Sequence, residues 1–189
     1  MTVLPIQVLG SSILRVETTP VAEITDELQQ LIDHMFETMH AAQGIGLAAP
    51  QVGRSERLTV IEIEGERIVA INPEIVEESG TDRAEEGCLS IPDIYAEVDR
   101  SARVVVEATD REGQRFEIEA DGLMARCLQH EIDHLHGKLF IDYLSFLKKR
   151  ATMARWELQK SKYPDLLRIL TPEVIQRLRD DHDHPDERL

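Results

Sequence analysis

Gln129-His130-Glu131-Ile132-Asp133-His134 is the stretch on which the reading of this chain turns. On a helix, positions i and i+4 share a face with Cβ atoms roughly 5–6 Å apart. His130 and His134 could therefore both reach one metal ion at about 2.0–2.1 Å. Glu131 would then stand beside the ion without ligating it, placed to trade protons with a water. Two satisfied histidines on an amphipathic helix are the alternative, since so short a pattern recurs by chance. The flanks favour the metal. Leu123, Cys127, His130 and His134 recur at the period of a helix with one inward face. Asp121 is placed to cap its start and Gly137 to end it in a left-handed conformation. Inward-facing imidazoles need a partner, and a metal would be one.

Two imidazoles do not complete such a site, because catalytic centres of this kind use three protein ligands and keep one position open. Downstream, His134-Leu135-His136-Gly137-Lys138-Leu139-Phe140 begins like the HExxHxxGxxH motif of proteases, but Phe140 stands where the third histidine belongs. Glu157 is a candidate carboxylate ligand, although its Lys- and Arg-rich surroundings read as a solvated helix. Upstream lies Glu86-Gly87-Cys88-Leu89-Ser90. Cys88 and Cys127 are the chain's 2 cysteines, and nothing marks the sequence as secreted, so a disulfide is the less natural reading. A lone cysteine is often just a small buried hydrophobe. Gly87 before Cys88 and Leu89-Ser90-Ile91-Pro92 after it instead suggest a turn that presents the thiol. Cys88, His130 and His134 would make a Cys-His-His set with an open fourth position, with Cys127 as a pocket wall. A third segment, Gly44-Ile45-Gly46-Leu47-Ala48-Ala49-Pro50-Gln51, allows close backbone approach. It lacks the third glycine and the preceding strand of a dinucleotide fingerprint.

Gly44–Gln51, Glu86–Ser90 and Gln129–His134 together resemble, in order and spacing, the three signature motifs of the peptide deformylases. The likeness covers roughly residues 5–145. It implies a metal-dependent hydrolase that removes the formyl group from the N-terminal formyl-methionine of newly made polypeptides. Carried over by position, the metal ligands are Cys88, His130 and His134, and the general acid/base acting on a metal-bound water is Glu131. The Gln51 amide and the Leu89 backbone N–H bind the oxyanion. Ile45, Gly46 and the Glu86–Gly87 strand edge contact an extended peptide, and Leu89, Arg126, Cys127 and His130 border the methionine pocket. Arg100 pairs with Glu86. The family's ion is Fe(II), with zinc, nickel or cobalt as substitutes. The chain departs from the pattern in three places. Arg126 occupies a position often aliphatic, its stem expected along the pocket and its guanidinium in water. Tyr95 stands where some members carry a substrate-contacting arginine, and Leu9-Gly10-Ser11-Ser12 lacks the usual Pro-Asp.

The remainder of the sequence predicts an α+β fold. Antiparallel β-sheets pack around a central metal-binding helix, with helices C-terminal to it. The expectation is one catalytic domain over residues 1–189, of which 180–189 form a disordered acidic tail. Leu28, Leu31, Ile32, Met35 and Met39 place a helix over 25–42, and β-rich runs place strands at 57–64, 67–72, 102–109 and 114–119, turning at Gly65-Glu66 and Glu112-Gly113. Further helices are expected near 145–160 and 172–181. No stretch approaches the roughly 18 apolar residues of a membrane span, and the N-terminus lacks a secretory pattern, so a cytoplasmic monomer is the expectation. A net charge of −15 argues against general nucleic-acid affinity. Lys148, Lys149, Arg150, Arg155, Lys160 and Lys162 nevertheless make residues 148–162 a candidate for weak ribosome contact, an ordinary solvated face being the alternative. Two rivals stand beside deformylation. One is a metallopeptidase cutting internal bonds, which would need neither Cys88 nor a formyl-sized cavity. The other is a deformylase-like binder without turnover, against which the intact Glu131, Gln51 and Cys88 weigh.

Overall fold

A computed structural model describes residues 2–183. Strand β1 (Ile6–Gln7) precedes helix α1 (Asp26–Ala41), which starts where the Thr25 hydroxyl accepts the Leu28 N–H at 3.2 Å. Leu28, Leu31, Ile32, Met35 and Met39 are all buried, as the 3.6-residue period requires. Then come β2 (Gly46–Ala48), β3 (Leu58–Ile63), β4 (Glu66–Ser79), β5 (Asp82–Cys88), β6 (Ile91–Arg100), β7 (Arg103–Thr109) and β8 (Arg115–Asp121). Helix α2 (Gly122–Leu135) carries the histidines and leads to α3 (Phe146–Gln159), β9 (Leu167–Arg168) and α4 (Pro172–Asp183).

Five strands form an antiparallel sheet in the order β2-β3-β4-β7-β8. Successive side chains of a strand point to opposite faces, and both faces are used. Leu58, Val60 and Leu47 join the α1 core, whereas Ile61, Ile68, Val104 and Val106 join Ala125, Leu128 and Ile132 of α2. The sheet thus lies between the two helices. The opposite side of α2 meets a separate two-stranded sheet, β5-β6. Its Ile91, Ile94 and Val98 pack on Leu139, Phe140, Ile141 and the α3 residue Trp156. Helix α2 is therefore central, as expected.

Three features differ from the sequence reading. Beyond the strand edge expected at Glu86–Gly87, the β5–β6 hairpin was not anticipated, because Asp82-Arg83-Ala84-Glu85-Glu86 has neither strand alternation nor β-branched residues and is held by its ladder to β6. β4 runs on to Ser79 past a register shift between Ile71 and Glu74, where Asn72 takes φ 50° and clamps Val21 through two side-chain hydrogen bonds of 2.8 Å. Residues 180–183 continue α4, while 184–189 of the expected tail lie outside the described residues. Lys149 of α3 pairs with Asp142 at 2.6 Å, and Lys160, just past the end of that helix, pairs with Glu157 at 2.5 Å. Among the described residues no helix is long and apolar enough to cross a membrane.

Candidate metal centre

Cys88 ends β5 at a two-residue turn, Leu89-Ser90, that closes the hairpin. The ladder shifts register between Glu86 and Cys88, and this places the thiol over α2. There the candidate donor atoms of Cys88, His130 and His134 all lie within 4.8 Å of one another. Cys88 Sγ and His134 Nε2 are 3.3 Å apart. Sulfur and nitrogen ligands at about 2.3 and 2.0–2.1 Å span an edge of roughly 3.5 Å around a tetrahedral ion. His130 turns Nδ1 to the Glu86 carboxylate at 2.9 Å, which leaves Nε2 for the site. Burial, then the neighbouring His130, push His134 well below the usual imidazole range, so it offers a neutral lone pair. Its Nδ1 is buried with no partner among the described residues. One thiol and two imidazoles, arranged this closely, fit a single divalent ion of the late first row. Helix α2 ends as its sequence suggested, with Gly137 at φ 68°. Asp121 occupies the N-cap position but makes no side-chain cap bond.

Glu86 is the hub behind the ligands. Arg100 grips it through two hydrogen bonds of 2.8 and 3.0 Å, Arg126 reaches it at 2.7 Å, and His130 takes its remaining side. Burial works against the charge of Glu86, but the bonds from His130 and Arg100 prevail and hold the carboxyl down at about 2. Arg100 goes on to Asp133 at 2.5 Å and lies 4.5 Å over the Tyr143 ring, whose hydroxyl donates to Asp133 at 2.9 Å. Arg126 overturns one expectation. Its guanidinium does not reach water. It is buried, bonded to Glu86, to the Val98 and Asp82 carbonyls, and to the Asp82 carboxylate at 2.7 Å. A buried cation needs such partners, and β5 and β6 supply them.

The trio opens into a cleft of about 800 Å³ lined by Ile45, Gly46, Gln51, Glu86, Gly87, Cys88, Leu89, Arg126, Cys127, His130 and Glu131. The structure thus gathers the sequence-predicted residues around one cavity, with His134 behind it. Glu131 is buried, and its Oε2 has no hydrogen-bond partner among the described residues. Burial pushes its carboxyl up to about 7, against the pull of His130. Gly46 makes room for it, since a Cβ there would stand 2.5 Å from Glu131 Oε1. Gln51 is fixed by accepting the Ala48 N–H at 2.8 Å, so that Nε2 points to Ser90 Oγ at 3.2 Å and Cys88 Sγ at 3.6 Å. Leu123, expected on the inward face of the helix, is 55% exposed and lines the cleft from the start of α2.

Some members of the site escaped the sequence reading. Asp133 had a signal, lying three residues from His130 on the adjoining helix face. Asp82, Tyr143 and the C-terminal residues Arg168, Leu178 and Asp181, which also line the cleft, had none.

A family model described as Polypeptide deformylase matches residues 3–150. Solved structures are similar over most of the chain. A peptide deformylase from Legionella pneumophila is 48% identical, covering 85% of this chain and 96% of that one at a TM-score of 0.82. A plant peptide deformylase, PDF1B, is 39% identical over 87% of this chain and 93% of its own, at 0.81. A peptide deformylase from Thermus thermophilus is 38% identical and covers 95% of this chain and 99% of that one, at 0.77.

Proposed function

The chain belongs to the polypeptide deformylase family, and from that premise we propose that it removes the formyl group from the N-terminal methionine of new polypeptides, with Cys88, His130 and His134 holding one divalent metal ion. The observation that carries this reading is the buried, unpartnered Glu131 carboxylate beside a compact Cys-His-His trio. We take Fe(II) as the resident ion, with zinc, nickel or cobalt as substitutes, since imidazole and thiolate suit all of them. When bound, the ion would polarise the formyl carbonyl and lower the pKa of an attacking water toward neutrality.

The remaining chemistry falls to the chain's own residues. Glu131, with an elevated pKa and a free buried oxygen, takes the proton of the water and returns it to the departing amine. Gln51 meets the developing oxyanion through Nε2, pre-positioned because its oxygen is already engaged by Ala48. The Leu89 N–H is the second donor. Glu86 orients His130 through Nδ1.

The substrate backbone has a place as well. Among the described residues β2 pairs only with β3 and β5 only with β6, so each leaves an open edge there, and residues of both border the cleft. An extended peptide adds a strand at such an edge through main-chain hydrogen bonds, which accounts for the roles assigned to Ile45, Gly46, Glu86 and Gly87. Methionine docks against Leu89, Cys127 and the aliphatic stem of Arg126.

The test is anaerobic formate release from formyl-Met-Ala by Fe(II)-loaded protein, compared with Glu131→Gln. Loss of a general acid–base typically costs about 10²–10⁴ in rate. That loss should appear with metal content and melting temperature unchanged. Full activity in Glu131→Gln would sink the assignment, and cleavage of unformylated peptides would point instead to a peptidase.

A further inference from the structure

Beyond the span matched by the family model, 3–150, the chain returns to the cleft. β9 is pinned by its pairing with β1, Ile6 to Arg168 and Gln7 to Leu167. Val174, Ile175 and Leu178 of α4 then pack against Ile6, Ala41 and Ala42. Arg168, Leu178 and Asp181 thereby become part of the cleft wall.

Arg168 is the unusual member. Its guanidinium donates to the Leu89 carbonyl through a long bond of 3.5 Å, and among the described residues it forms no ion pair. Arg126, the other arginine of the wall, is fully engaged by Glu86 and Asp82. The ionisable groups that act on Arg168 are Tyr163, Asp93, Tyr95 and Arg177, and burial, the largest influence, holds it below the usual guanidinium range without removing its charge. Glu85 and Asp93 add acidic groups to the cleft wall. A carboxylate entering this cleft is disfavoured beside them and can be neutralised at Arg168. A guanidinium with unused donors, set on a paired strand, is built for bidentate contact with a carboxylate.

We propose that Arg168 forms an acceptor subsite that binds the terminal carboxylate of a short peptide downstream of the formylated methionine. The proposal rests on the deformylase reading of the metal site. Because this contact is made away from the reacting bond, it acts on KM and leaves kcat alone.

The experiment uses formyl-Met-Ala, formyl-Met-Ala-Ser and formyl-Met-Ala-Ser-Ala, each as free acid and as C-terminal amide, with the metal-loaded full chain. Wild type should favour the acid over the amide at one of these lengths by roughly tenfold in KM, the scale of one charge-assisted hydrogen bond. Arg168→Ala should erase that preference with kcat unchanged, and Arg168→Lys should restore part of it. The lysine variant keeps the test decisive if alanine disturbs β9, and melting temperatures identify that case. Equal KM for acid and amide at every length in wild type would overturn the proposal, as would a preference that survives in Arg168→Ala or a loss confined to kcat. Absence of formate from every peptide in wild type would instead break the deformylase reading itself, and the subsite with it.

Discussion

Toward the five-stranded sheet, α2 presents Ala125, Leu128 and Ile132 to Ile61, Val104 and Val106; toward the β5–β6 hairpin it presents Arg126, Gln129, His130 and Asp133 to Glu86, Arg100 and Ser101. The first face is held by apolar burial, which is non-directional and tolerates small shifts. The second consists of hydrogen bonds and ion pairs between groups that are costly to bury alone. The difference suits the work of the helix. Burial on one side gives α2 a firm seat, and the directional bonds on the other orient the His130 imidazole through Glu86.

The sharpest way to break this contrast is Glu86→Gln. It leaves Arg100, Arg126 and His130 facing a neutral amide, and removing one partner of a buried ion pair typically costs about 3–5 kcal/mol. Urea denaturation should show a loss of that size, and metal analysis should show weaker retention because His130 loses its orienting acceptor. A loss below ~1 kcal/mol would mean that the charged face is not interlocked. Leu128→Ala probes the apolar face, where Leu128 is 0% exposed. A cost of about 3 kcal/mol is expected from the lost burial and the cavity left behind, with metal content and turnover unchanged well below the melting temperature. Metal loss in this variant would show that the two faces are coupled.

The smallest effect is expected away from α2, at Asp142, which accepts from the Lys149 Nζ at 2.6 Å and the Leu139 N–H at 3.0 Å and pairs with Arg15. Burial disfavours its charge, but Arg15 and Lys149 outweigh that and hold the carboxyl below its usual range. A carboxylate with a depressed pKa stabilises above its unfolded pKa and ceases to do so as pH falls through the folded one. Wild type should therefore exceed Asp142→Asn by at most ~1 kcal/mol at pH 7. Denaturation curves of the two should converge in acid. A gap that persisted there would assign the effect to packing rather than charge.

The same contrast explains what was legible. Apolar periodicity is local, so α1, α2 and the β3–β4 and β7–β8 hairpins, with their turns at Gly65 and Gly113, could be read from neighbouring residues. The three motifs, each short and local, bring Cys88 and the α2 histidines together in the sequence alone. Pairing between charged groups distant in sequence leaves no such trace. Arg126 was expected to extend into water because nothing near it marks Asp82 and Glu86 as its partners. Strand β5 was missed for a related reason: its strand character comes from pairing with β6 rather than from its own composition. Arg168 lies 79 residues from Leu89, beyond the reach of any local pattern.

The pairing of β1 with β9 also imposes an order on assembly. Synthesis runs from the N-terminus, so Leu167 and Arg168 are made well after their partners Ile6 and Gln7, with α1, the sheet and α2 lying between them in the chain. The sheet, α2 and the hairpin can all form while β1 still lacks its neighbour and the apolar patch of Ile6, Ala41 and Ala42 is still uncovered. Maturation of this enzyme thus has a natural late step, the docking of the segment that carries β9 and α4, and with that step the cleft acquires Arg168.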